Sequence, residues 1–219
     1  MNSFINLILL VISLPALFVA VFVGFDLPIE FLHTTAGQLP YRFALLASFA
    51  MLLLIVSLRR SIRRWMGVKM CEQTAKFVWN QPISNRRTKR VLVYNSLEAG
   101  IFLALAVGVI SICKEAWPLG LVYLLMCIDA LSFAFMNRLK FRVALSSKAI
   151  LVADREVILI YLSGLRKVSI SQQTIYFDYI ENLQLSFPVD CLAEEQKADF
   201  FTVLESQIDR DRVLFQHTK

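Results

Sequence analysis

The sequence predicts a membrane α-helical protein: four transmembrane helices, then a C-terminal α+β domain. Three observations carry this. Of its 219 residues, 57% are hydrophobic, against about 45–50% in an ordinary soluble domain, and the excess lies in residues 1–136. A basic stretch from Arg59 to Arg90 divides the apolar segments into two pairs, with ten Lys and Arg residues against one acid, Glu72. Beyond Leu139 the hydrophobic period changes to the alternation of half-buried strands.

The first segment, Phe4 to Phe25, carries no charge and matches the roughly 20 residues of helix that cross a bilayer core. No Lys or Arg precedes it and no A-x-A-like site follows, so a spanning helix is expected over residues 4–25 rather than a cleaved leader. Pro15 predicts a mild kink. Asp26 to Pro40 is a polar link without Lys or Arg, as suits the outer side. The second helix is expected over residues 41–58, its pattern continuing through Arg59, Arg60, Arg63 and Arg64, opposite Ile62, Trp65 and Met66. Such an end fits the headgroup region, with arginines on lipid phosphates; a solvated charge cluster that sets topology is the compatible alternative. Residues 59–90 form a basic cytosolic loop broken at Asn80-Gln81-Pro82. It closes on a second cluster, Arg86, Arg87, Lys89 and Arg90. The third and fourth helices are expected over 91–113 and 117–136. Arg138, Lys140 and Arg142 follow on the inner side. The positive-inside rule then places both termini in the cytoplasm, on the inner face of the cell membrane.

The tail, residues 139–219, reads as a separate domain. Ala149 to Val152, Val157 to Leu162, Val168 with Ile170, Ile175 to Tyr179 and Leu183 to Phe187 have strand patterns. Turn-formers such as Asp154-Arg155 and Ser163-Gly164 separate them. Asp190 is the expected cap of an amphipathic helix over 191–209, with Phe200, Phe201, Leu204 and Ile208 as its apolar stripe. This plan of meandering strands, a Phe187-Pro188 strand end and one final helix resembles the bacterial pleckstrin-homology-like domains that follow transmembrane hairpins in small membrane proteins. The resemblance covers Phe141 to Asp209 and rests on element order. It implies an antiparallel sheet closed by one helix, and a role as an interaction module.

Charge and motifs narrow the function. The net charge is +6, yet the tail holds ten basic against eleven acidic residues. The basicity therefore borders the membrane, where Lys and Arg attract anionic lipid at about 1 kcal/mol each. Nucleic acid is not an expected partner. Cys71, Cys113, Cys127 and Cys191 form no C-x-x-C pair, and His33 and His217 fall on opposite sides of the expected membrane, so neither a metal site nor a cofactor is expected. No phosphate-cradling glycine motif occurs.

The sharpest chemical signal is a pair of acids inside the apolar segments. Glu98 and Asp129 lie roughly 12–13 Å along their helices from Arg90 and Arg138. Asn95, Ser96 and Ser132 lie within a turn of them. Intramembrane acids suggest a proton or cation site. The alternative is a polar tie between helices, or acids that reach nearby arginines. The expectation is a non-enzymatic, membrane-anchored interaction module that contacts membrane lipids through Arg59, Arg60, Arg63, Arg64, Arg86, Arg87, Lys89 and Arg90 and binds a partner protein or a second copy. A small transporter using Glu98 and Asp129, and a lipid-acting enzyme, are the alternatives.

Overall fold

The computed structural model describes residues 2–171, 173–180, 183–208 and 213–217. The chain divides into two compact units. One comprises Met1–Ile62 and Tyr94–Ala134, the other Arg63–Val93 and Phe135–Lys219.

The first unit is built from apolar helices. α1 (Asn2–Gly24), α2 (Arg42–Cys71), α3 (Asn85–Ile112) and α4 (Trp117–Asn137) are each long and apolar enough to cross a membrane. The division between the units falls inside α2, α3 and α4. α2 continues past Arg64 to Cys71. The helices pack through small residues: Ala16, Ala20, Ala50, Ala106 and Ala116 are buried around Leu46, Leu53, Leu119 and Tyr123. Lipid is as apolar as leucine, so helices in a bilayer associate through close backbone approach rather than hydrophobic burial. Gly24 shows how close that approach is, because a Cβ there would lie 2.5 Å from the Ile112 carbonyl oxygen. The face of α1 carrying Phe4, Leu7, Val11, Leu14 and Phe18 is exposed, the pattern of a lipid-facing helix. Between α1 and α2 runs a two-residue ribbon, β1 (Pro28–Ile29) against β2 (Thr34–Thr35). Asp26 ties it down by accepting the Gly37 N–H at 2.7 Å.

The second unit holds two open four-stranded sheets. One is antiparallel, ordered β3 (Trp79–Pro82), β4 (Arg142–Leu145), β5 (Ala149–Ala153) and β6 (Val157–Tyr161). Its first strand comes from the segment between α2 and α3, where the Asn80-Gln81-Pro82 sequence predicts a break. The other sheet contains β7 (Leu165–Ile170), β8 (Thr174–Tyr179), β9 (Gln184–Pro188) and β10 (Leu214–His217), in the order β10-β7-β8-β9, with β10 parallel to β7. A single antiparallel pleckstrin-homology-like sheet closed by one helix is therefore not what the tail forms: among the described residues neither sheet is closed or curled. The physical reason lies at residues 162–164. The Leu162 N–H goes back to the Lys148 carbonyl, and Gly164 takes a left-handed conformation at φ 76°, which costs a glycine little. β6 and β7 thus become members of different sheets instead of a hairpin.

α5 (Glu194–Gln207) is shorter than the expected 191–209, and Asp209 lies outside the described residues. Asp190 is not its cap. It sits in a 3-10 turn, Val189–Cys191, while Ala193 precedes the helix without a side-chain cap. The helix buries Phe200 and Leu204. The Phe200 ring meets Trp79 of one sheet edge-on at 5.1 Å and Phe187 of the other at 6.1 Å, so one aromatic side chain joins both sheets. Trp79 is further fixed by donating its indole N–H to Asp199 of α5 at 2.7 Å.

Candidate functional site

Two groups of polar side chains contain the residues singled out in the sequence. The first belongs to the helical unit. Arg60 of α2 pairs with Glu98 of α3, and both side chains are nearly buried. Ser61, the next residue of α2, donates its hydroxyl to Asp129 Oδ1 of α4 at 2.6 Å. α2 thus supplies a partner for each acid. Adjacent positions on a helix point 100° apart, which is how Arg60 and Ser61 reach two different neighbours. Asn95 is fully buried and precedes Glu98 by three residues, so it lies on the same side of α3. Ala99, Cys127 and Ala130 pack together around this level, which lets α3 and α4 come close. Ser132 is half-buried and Ser96 exposed.

Distances along the bundle follow from helix rise. A second ion pair, Arg42 to Glu115 at 2.5 Å, marks the opposite end of the bundle. Arg60 lies eighteen residues from Arg42 along α2, about 27 Å at 1.5 Å per residue. Asp129 lies twelve residues along α4 from Trp117, about 18 Å by the same rise. The arrangement ties three helices together with charge and hydrogen bonds.

The second group belongs to the mixed unit and surrounds the start of α3. Ser84 caps this helix by accepting the Arg87 N–H at 3.1 Å, and its own hydroxyl donates to the Asp190 carbonyl at 2.5 Å. The Ser84 N–H donates to the Cys191 carbonyl at 3.2 Å. The helix start is thereby fastened to the turn Val189–Cys191. Arg87 donates through Nε and Nη2 to Asp154 Oδ2, at 2.9 and 2.6 Å, and its Nη1 lies 3.5 Å from Asp190 Oδ1. Arg90 donates to Asp190 Oδ2 at 2.5 Å. Asp154 is 3% exposed, so the Arg87 guanidinium neutralises a buried carboxylate.

The basic residues expected on lipid therefore have different surroundings. Arg60, Arg87 and Arg90 hold carboxylates of the chain itself. Arg64 is buried at 3% exposure, and Arg63 is half-buried. Arg59, Arg86 and Lys89 are exposed. Sequence reasoning missed Ser61, Asp154 and the pairing role of Asp190. Asp154 lies 67 residues from Arg87 and Asp190 lies 100 from Arg90, and no local pattern encodes such distances.

All four cysteines are buried and free. Cys191 Sγ lies 3.9 Å from Asp154 Oδ2. Burial, reinforced by this carboxylate, pushes the thiol well above its ordinary pKa, and a neutral buried thiol is a poor nucleophile. Among the described residues no group of three His, Cys, Asp or Glu side chains is placed to hold a metal ion. No protein-family model, no curated protein and no solved structure matches the chain.

Proposed function

We propose that this protein is a non-enzymatic, membrane-anchored interaction module of the cell's inner membrane, with both termini and the mixed α/β unit in the cytoplasm. The observation that carries the reading is the origin of β3. The segment between α2 and α3 and the tail beyond α4 pair in one sheet, which supports a single folded body on one side of the membrane. The acids of the helical unit support the same reading. Each is engaged by α2, which favours helix assembly over a carrier role for Glu98 and Asp129. The working surface then belongs to the α/β unit. Its edge strand β6 exposes Leu159 and Tyr161, and edge strands are natural places for another chain to add.

The test is in-cell photo-crosslinking of the full chain. A photoreactive residue replaces Tyr161 on β6 or, as comparison, Leu103 on α3. Protein adducts from position 161 are the expected result. Adducts from position 103 alone would transfer the interaction role to the helices. Proton or cation flux by the purified chain that disappears with Glu98→Gln would replace the reading with transport.

A further inference from the structure

The start of α3 borders a groove of about 460 Å³ in the mixed unit, within the range of roughly 300–1,000 Å³ typical of small-molecule sites. Its charged lining consists of Arg86, Arg87, Arg90 and Lys197 with Asp190 and Glu194. We infer that this groove binds a phosphate monoester, carried either by a small soluble molecule or by a lipid headgroup. The proposal rests on the reading of the α/β unit as the working part of the chain.

The two carboxylates of the groove do not oppose an anion. Asp190 lies between Arg90 and Arg87, and its charge is spent on holding both guanidinium groups in place. Glu194 engages Lys197 at 2.7 Å but is itself 87% exposed. Such a pair in water is worth little, so Lys197 can exchange its partner for a ligand oxygen. Arginine has five N–H donors in a fixed fork. Arg90 commits only Nη1 to Asp190, and the rest of its fork is available. Arg86 is exposed and makes no ion pair among the described residues. Its whole fork can face the groove.

Counting Asp154, which neutralises Arg87, four cations meet three carboxylates and leave one positive charge. The positive end of the α3 dipole adds to it. A monoester carries about 1.5–2 negative charges at neutral pH and offers three oxygens to forked donors, so it gains more here than a carboxylate or a phosphodiester. Arg90 immediately precedes the apolar run that begins at Val91, so a lipid phosphate is as natural a source as a soluble one.

The test uses the purified full chain and two probes, glycerol 3-phosphate in detergent and phosphatidic acid in phosphatidylcholine nanodiscs, with phosphatidylglycerol as the diester comparison. Saturable binding of glycerol 3-phosphate assigns a soluble ligand. Binding of phosphatidic acid alone, stronger than of phosphatidylglycerol, assigns a headgroup. Either result supports the site. Arg86→Ala removes no ion pair among the described residues and is expected to weaken binding about tenfold by loss of a charge-assisted fork. Arg86→Lys restores part of it, and Lys89→Ala, outside the groove, leaves affinity unchanged. Absence of binding with both probes overturns the proposal, as does an Arg86→Ala protein that binds like the original. Equal losses with Arg86→Ala and Lys89→Ala also overturn it, because they indicate a diffuse basic surface. A crosslinked protein partner at position 161 without anion binding removes the anion site alone and leaves the interaction reading standing.

Discussion

The two units of this chain differ in how much small-residue packing and outward apolar surface they carry. In the helical unit the alanines Ala16, Ala20, Ala106 and Ala116 are buried beside Leu46, Leu53, Leu119, Tyr123 and Phe133, while phenylalanines and leucines such as Phe4, Leu14 and Phe18 face outward. In the mixed unit Phe141, Phe177, Phe187 and Phe200 are fully buried. On the proposed membrane reading, the difference follows from the solvent each unit meets. In lipid an outward leucine loses nothing, so cohesion comes from close backbones and a few polar ties. In water, burying a large side chain is worth about 1.5–3 kcal/mol, and aromatic contacts add to that. Polar pairs follow the same division. Arg60–Glu98 and Ser61–Asp129 join helices, whereas Arg87–Asp154 and Arg90–Asp190 join the start of a helix to the sheet region.

This contrast can be broken most forcefully at Phe200. Phe200→Ala removes the ring shared by both sheets and is expected to cost about 3–5 kcal/mol. Hydrogen exchange of the full chain should show protection lost in β3 and β9 and kept in α1. Equal loss in α1 would mean that the units do not respond separately. Gly67 comes next. A Cβ at this position would lie 2.0 Å from Val157 Cγ2, so Gly67→Ala should destabilise the mixed unit by about 1–3 kcal/mol through overpacking. Thermal unfolding should show partial recovery with Val157→Ala.

The polar tie in the bundle carries a smaller effect. Ser61→Ala should cost about 0.6 kcal/mol, in line with hydrogen bonds between helices in membranes, measured by reversible unfolding in mixed micelles. A loss as large as that from Phe200→Ala would show that polar ties, not small-residue packing, dominate the bundle. The smallest effect concerns Asp26, whose carboxylate is held below its ordinary pKa by Thr35, then by the Gly37 N–H. A depressed carboxylate pKa contributes stability that is present above the unfolded value and lost as the pH falls through the folded one. The 26–40 link should therefore keep its hydrogen-exchange protection at neutral pH and lose some of it below the ordinary carboxylate range, around pH 4.

The helices were legible because lipid demands long uncharged runs, and such runs are local. Strands β5 to β9 were legible for a similar reason, since Ile175, Phe177 and Tyr179 alternate along one strand. β3 was not, because Trp79 to Pro82 has no alternation and is held by pairing with β4, sixty or more residues away. The two-sheet arrangement was hidden for another reason. Gly164 marks a turn in the sequence, but only the Leu162–Lys148 hydrogen bond shows that the chain changes sheets there. At the candidate sites Glu98, Asp129 and the arginines stand out by being charged beside apolar runs. Ser61 and Asp154 are ordinary residues until the fold brings their partners to them.

On the proposed topology, residues 63–93 and the tail build one body on the cytoplasmic side. Single cysteines at Gln38, Gln73 and Ser163, all exposed, in a chain whose four buried cysteines are replaced by alanine, test it with a membrane-impermeant maleimide in intact and permeabilised cells. Labelling of position 38 in intact cells, and of positions 73 and 163 only after permeabilisation of the inner membrane, is the predicted result. Positions 73 and 163 labelled from opposite sides would contradict the β3–β4 sheet and, with it, the proposed topology.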